Sequence, residues 1–203
     1  MWIVKIGGSL GRDPLLRDWL ETLVQLGSGR VVIVPGGGAF ADEVREQQAF
    51  WHFDDLSAHN MAVLAMAQMG LMMQGICPAL ALAANDADLR RAVQQARVPV
   101  WLPFEVLREH RDLLTNWGVT SDSLAAWLAN RLNAEGLLLV KACAIDPALE
   151  LPAYAAAGIV DAEFLRFARE GAYPVTLLNR TELPRARELL RNGGTAGPTT
   201  AQS

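Results

Sequence analysis

Two glycine-rich turns near the start of the chain, Lys5-Ile6-Gly7-Gly8-Ser9 and Val34-Pro35-Gly36-Gly37-Gly38, each interrupt an apolar run before an amphipathic stretch. Trp2 to Ile6 is the first run, and the stretch after it carries Leu15, Leu16, Trp19, Leu20, Leu23 and Leu26 at helical spacing. Arg30 to Val34 is the second, β-branched run, and a helix-compatible pattern from Phe40 to Gln48 follows its glycines. Two successive strand–turn–helix units predict a parallel sheet. Because crossovers between parallel strands are right-handed, both turns then lie at the carboxyl edge of that sheet.

The rest of the chain continues the alternation. Leu56 to Gln74 reads as a central helix, Ala79 to Ala83 and Val98 to Leu102 as short strands, and Asp122 to Leu132 as a helix capped by Thr120-Ser121. Leu137 to Lys141 is a buried strand ending in a lysine, and helices over Asp161 to Arg169 and Leu183 to Leu190 flank a strand at Val175 to Leu178. The tail from Asn192 to Ser203 is expected to be poorly ordered. With 203 residues, 51% of them hydrophobic, and no long linker, a single domain over 1–203 is expected.

A net charge of -4 gives no field for polyanions, so nucleic acid is not an expected partner. Cys77 and Cys143 are too few and too far apart for a disulfide framework or a zinc site, and a reducing cytoplasm suits them. The N-terminal run contains a lysine and lacks the features of a secretory signal. Met61 to Ala84 is apolar, but Gln68, Gly70, Gln74, Gly75 and Pro78 break it below the roughly 20 residues that a membrane span needs. No membrane partner is expected.

Four groups of residues carry candidate chemistry. Glycines at Gly7 and Gly8 before a helix let the backbone approach an anion, the helix start favours phosphate, and Lys5 adds a charge; the spacing is not that of a Walker A loop. Read alone, this is equally a tight turn with a lysine reaching out of a strand. Gly36, Gly37 and Gly38 carry an entropic cost of roughly up to 1 kcal/mol each, which close approach to a ligand would explain. Thr120-Ser121-Asp122-Ser123 reads alone as a helix cap, and Lys141, followed by Asp146-Pro147, as a solvated strand end. Together, two lysines and an aspartate at one sheet edge with two glycine turns make a phosphoryl-transfer site, in which Asp122 stays ionised between the lysines.

Other residues are weighed more simply. His52, His59 and His110 have no metal spacing, and His59 reads as a helix-face residue or an acceptor contact. The run Phe50-Trp51-His52-Phe53-Asp54-Asp55 either lines an acceptor pocket or serves as core or subunit contact. Trp101, Phe104, Trp117 and Trp127 read as packing, and Met61, Met66, Met69, Met72 and Met73 as the filling of a buried helix.

Taken in order, Lys5-Ile-Gly-Gly-Ser, Val34-Pro-Gly-Gly-Gly, Thr120-Ser-Asp-Ser-Leu-Ala-Ala and Leu137-Leu-Leu-Val-Lys141 through Ile145-Asp146-Pro147 resemble the amino acid kinases over most of the chain. The resemblance implies a three-layer α/β/α sandwich with a mainly parallel central sheet and ATP-dependent phosphoryl transfer. It divides the domain into an acceptor-binding half, 1–115, and a nucleotide-binding half, 116–203, sharing that sheet. Lys5, Asp122 and Lys141 would be catalytic, with Gly7, Gly8, Ser9, Lys141 and Asp146 on the nucleotide and Gly36, Gly37, Gly38, His59 and Ser121 on the acceptor. Mg2+ would be held mainly by nucleotide phosphates, with no dedicated protein ligands. Ala58 to Met66 and Trp117 to Trp127 resemble the branch that converts aminomethylfuranmethyl phosphate to its diphosphate in methanofuran or methylofuran synthesis. Carboxylate, carbamate or monophosphate acceptors such as UMP and isopentenyl phosphate are the alternatives.

The chain departs from the family after Lys141, where Ala142-Cys143-Ala144-Ile145-Asp146-Pro147 replaces the usual Val-Asp-Gly-Val, and at Gly194-Thr195-Ala196-Gly197. The first departure keeps open a non-catalytic nucleotide-binding protein. A reduced acceptor-covering hairpin and a homo-oligomer are also expected.

Overall fold

A computed structural model describes residues 1–108 and 118–192. His110, Trp117 and the segment from Gly194 to Gly197 therefore lie outside the described residues. The strands are β1 (Trp2–Ile6), β2 (Val31–Pro35), β3 (Ala81–Ala83), β4 (Pro99–Trp101), β5 (Gly136–Lys141) and β6 (Val175–Asn179). They form one six-stranded sheet in the order β3-β4-β2-β1-β5-β6, and every pairing is parallel. Strands buried on both faces favour apolar residues on either side, which is why β2, and β1 apart from Lys5, read as continuous runs rather than alternating ones.

The strand period of two sorts these residues between the faces. Ile3, Val32, Val34, Leu137 and Leu139 pack on one side with Leu124 and Leu128 of α6 (Ser121–Arg131) and Phe164 and Phe167 of α8 (Phe164–Ala168). Val4, Ile6, Ile33, Leu138 and Val140 pack on the other with Trp19, Leu20 and Leu23 of α1 (Leu15–Gly27) and Leu190 of α9 (Leu183–Arg191). Between these come α2 (Gly38–Trp51) and α3 (Asp55–Ile76), and α3 serves both cores, through Val63 and Met66 on one side and Met69 and Met73 on the other. The expected three-layer sandwich is thus present. No helix among the described residues is long and apolar enough to cross a membrane.

Register fixes the working edge. Ile6 pairs with Pro35 on one side and with Val140 on the other, so Gly7, Gly36 and Lys141 emerge side by side where the strand order reverses about β1. Such a reversal leaves a crevice at the carboxyl ends of the strands.

Some local expectations need correction. A short 3-10 helix, Gly8–Arg12, follows the first turn before α1 begins. The helix α4 (Asp86–Gln94) was not read from the sequence; Asn85 caps it by accepting the Asp88 N–H at 3.0 Å. Short helices α5 (Phe104–Arg108) and α7 (Leu151–Ala156) were likewise not read from the sequence. The helix expected from Asp161 begins at Phe164, since the Asp161 side chain is engaged elsewhere. Between α2 and α3 the chain turns through His52 in the left-handed region (φ 54°) and Asp54, which accepts the Ser57 N–H at 2.8 Å. No antiparallel hairpin occurs among the described residues.

Candidate active site

Lys5 and Lys141 are the only lysines in the 203 residues. Lys5 is in phase with Ile3 on β1, and Lys141 with Leu139 on β5, so both side chains leave the sheet on the face covered by α6. Asp122, in the first turn of α6, meets them there. Lys141 Nζ donates to Asp122 Oδ2 at 2.5 Å, and Lys5 Nζ lies 2.8 Å from Oδ1 as an ion pair without hydrogen-bond alignment. All three are nearly withdrawn from water, with side-chain exposures of 6% for Lys5, 6% for Asp122 and 11% for Lys141.

Burial alone would push the Asp122 carboxyl up, but the charges of Lys5 and Lys141 outweigh it and hold the group below the ordinary carboxylate range. The Lys141 ammonium is pulled below its ordinary value by burial first and the Lys5 charge second, and Asp122 opposes both. Two cations on one carboxylate leave a net positive charge in a poorly hydrated place. Such a site favours an incoming polyanion.

The glycines have a reason the sequence did not disclose. A Cβ on Gly8 would stand 2.1 Å from Gly38 N, and one on Gly36 would stand 2.4 Å from Gly8 N. Gly38 also has φ 56°. Hence the two turns touch backbone to backbone, and their glycines are needed for that contact, whatever ligand they also admit. The Gly7 N–H donates to Val140 O at 3.0 Å and the Gly36 N–H to Ile6 O at 2.9 Å, tying both turns to the strand ends.

Beside the turns opens a cavity of about 480 Å³. Gly8, Ser9, Gly37, Gly38 and Ser121 line it together with Arg12, Asp42, Arg45, Met69 and Met72 among others. A pocket of about 50 Å³ shares Gly37, Arg45 and Ser121 with it and adds His59, which is buried. Gly37, Gly38, Ser121 and His59 are therefore brought together.

Asp146 is not among the residues lining either cavity. Its carboxylate accepts the Ala148 N–H at 3.0 Å, a local turn contact. The aromatic run also stays out of these cavities: Phe50 and Trp51 are exposed at the end of α2, packed edge to face on each other. The cap expected from Thr120 and Ser121 comes instead from Asp161, which accepts from the N–H and hydroxyl of both Thr120 and Ser123. After Lys141 the altered loop is held by Asn179, whose Nδ2 donates to Cys143 O at 2.7 Å. Arg12, Arg45, Asp161 and Asn179 were not found from the sequence, because only the fold brings them to the site. Among the described residues no three His, Cys, Asp or Glu side chains converge as a metal site would need.

This fold and site belong to a recognisable class of protein. The chain is a member of the amino acid kinase family, whose model matches residues 1–143. A (5-(aminomethyl)furan-3-yl)methyl phosphate kinase of Methanocaldococcus jannaschii is 31% identical over 143 residues, a match covering 68% of this chain and 64% of that protein's length. The uridylate kinase of Archaeoglobus fulgidus superposes with TM-score 0.66 at 16% identity, over 93% of this chain and 96% of that one. The UMP kinase of Bacillus anthracis does so with TM-score 0.67 at 19% identity, over 94% and 91%. These two likenesses establish the shared fold.

Proposed function

We propose that the chain transfers the γ-phosphoryl group of ATP to a small phosphorylated acceptor, preferentially (5-(aminomethyl)furan-3-yl)methyl phosphate, giving the diphosphate and ADP. The observation that carries this is the placement of the only two lysines on one buried carboxylate, beside both glycine turns. The furan acceptor is supported by the Methanocaldococcus relative, and UMP is the alternative that fits the uridylate kinase neighbours.

In this reading Gly7, Gly8, Ser9 and Lys141 hold the ATP phosphates, with Asp146 on the nucleotide side, while Gly36, Gly37, Gly38, His59 and Ser121 hold the acceptor. An acceptor phosphate oxygen attacks the γ-phosphorus as its bond to the β-phosphate oxygen breaks. Lys5 and Lys141 neutralise charge on the equatorial oxygens, and Asp122 keeps both ammoniums aimed. Both Asp122 oxygens face lysines, so Mg2+ would ride on the nucleotide phosphates. The acceptor half then spans 1–115 and the nucleotide half 116–203. A cavity of about 480 Å³ suits an acceptor of this size. Exposed Leu56, Met61, Leu64 and Leu71 on α3 support a homo-oligomer, and two free cysteines a cytoplasmic setting.

An ADP-release screen over the furan monophosphate, UMP, isopentenyl phosphate, acetylglutamate and carbamate tests the acceptor. Turnover of a carboxylate or carbamate alone would overturn the phosphorylated-acceptor assignment. The pH dependence gives a second check. Because the free-enzyme Lys141 ammonium is held below its ordinary value of 10.5, kcat/KM is expected to fall on the alkaline side before that pH is reached. Lys141→Arg, slower overall, should lose this early alkaline limb, since arginine keeps its proton.

A further inference from the structure

Asp161 lies outside every motif read from the sequence, yet its carboxylate accepts four hydrogen bonds beside the site. Its Oδ2 accepts the Thr120 N–H at 3.1 Å, the Thr120 hydroxyl at 2.7 Å and the Ser123 N–H at 3.0 Å, and its Oδ1 accepts the Ser123 hydroxyl. Thr120 and Ser123 bracket Asp122. The four bonds thus enclose the one residue that both lysines address. Ordinary helix caps come from the residue just before the helix, and Thr120 occupies that place here without a side-chain cap bond of its own. The clamp comes from 38 or more residues further along the chain.

The segment that carries Asp161 is itself fastened along α6. Asn130 Nδ2 donates to Phe167 O at 2.8 Å, and the Tyr173 hydroxyl donates to Ala126 O at 2.9 Å. Phe164 and Phe167 pack in the same core as Leu124 and Leu128. A helix splinted at its start, middle and end cannot rotate without breaking several of these bonds together. A carboxylate at its N-terminus also complements the helix dipole. The N–H groups of Ser121 and Asp122, between the clamped residues, are not taken by Asp161, and Ser121 lines both cavities.

We propose that Asp161 is a positioning residue for the transfer centre: by clamping the first turn of α6 it holds Asp122 where Lys5 and Lys141 both reach it. This inference rests on the proposed phosphoryl-transfer site. Its signature is electrostatic. Lys141 faces the Lys5 charge from β1, the Asp122 carboxylate from α6 and Cys143 in its own loop; of these, Asp122 and Cys143 favour its protonated form and Lys5 disfavours it. If Asp122 retreats, burial and Lys5 act with less opposition, and Lys141 loses its proton at a lower pH.

Because the chain has two lysines, a protein labelled with 13C at lysine Cε gives two resonances whose titrations are read directly. In Asp161→Ala the Lys141 titration is expected to move to lower pH than in the wild type. Its kcat should fall by roughly 10- to 100-fold, with the KM for ATP changed by no more than about twofold. Thr120→Val removes one of the four bonds and should shift both readouts in the same direction by less. If Asp161→Ala does not fold, Thr120→Val is decided by those same signs. A folded variant that loses thermal stability alone, with both lysine titrations and kcat at wild-type values, overturns the proposal. Wild-type protein that releases no ADP with any phosphorylated acceptor refutes the proposed function instead, and the lysine titration still decides the role of Asp161.

Discussion

Asp122→Asn is expected to destabilise the fold by about 3–5 kcal/mol at neutral pH, the usual consequence of removing one partner from a buried ion pair. The substitution preserves shape and leaves two buried ammoniums, Lys5 and Lys141, without a counter-charge. The folded-state proton affinity of Lys141, already held below its ordinary value of 10.5, then falls further, so the unfolded chain binds more protons across the window below that value. Stability of the variant should therefore rise with pH toward the lysine range, narrowing the gap to the wild type. In the wild type the slope at the acid end has the same sign, from a different group. The Asp122 carboxyl is held below its ordinary value of 3.8, so its contribution is present above that value and is lost as pH falls through the folded value. Urea unfolding of both proteins across pH measures both effects. An Asp122→Asn protein as stable as the wild type at neutral pH would contradict the buried triad.

The second large effect is expected from Gly8→Ala. Its Cβ would fall 2.1 Å from Gly38 N and 2.6 Å from Gly38 Cα, backbone atoms with no side chain to swing aside. The turns must part, at a cost of about 3 kcal/mol or more, the upper end of overpacking penalties. A shift of about 1 Å between them would also slow transfer by roughly 100-fold. Gly75→Ala is the control. That glycine sits on α3 with nothing within 4 Å of a Cβ, and the change should stabilise by about 0.5–1 kcal/mol. Equal tolerance of both substitutions, in thermal unfolding, would show that the two turns do not depend on their contact.

The strands were legible because a parallel sheet covered on both faces favours continuous apolar runs, which β2 has throughout and β1 and β5 have apart from one lysine each. Lys5 and Lys141 stand out for the same reason, each being the one charge in such a run. Their being the only lysines in an arginine-rich chain was also visible in the sequence and sharpens the site. What the sequence did not disclose is what depends on distant partners. Asp161 sits in a stretch with no motif, and its four contacts arise only when α8 packs on α6. The glycine triplet announced a close approach but not that the neighbour is another turn. For Phe50 and Trp51 the sequence left pocket lining, core and subunit contact equally open, and it is the length of α2 that carries them past the turn to an exposed position.

The central claim is that phosphoryl transfer occurs at the carboxylate shared by two lysines. Lys5→Ala tests it most directly, since Lys141 still pairs Asp122 in the variant and the fold is the less disturbed. The measurement is ADP release from ATP with the furan monophosphate and with UMP, wild type beside variant. Turnover by the wild type with a monophosphate acceptor, falling at least about 100-fold in Lys5→Ala, is the predicted result. ATP binding with no ADP released for any acceptor, or equal ADP release by Lys5→Ala and the wild type, would contradict it.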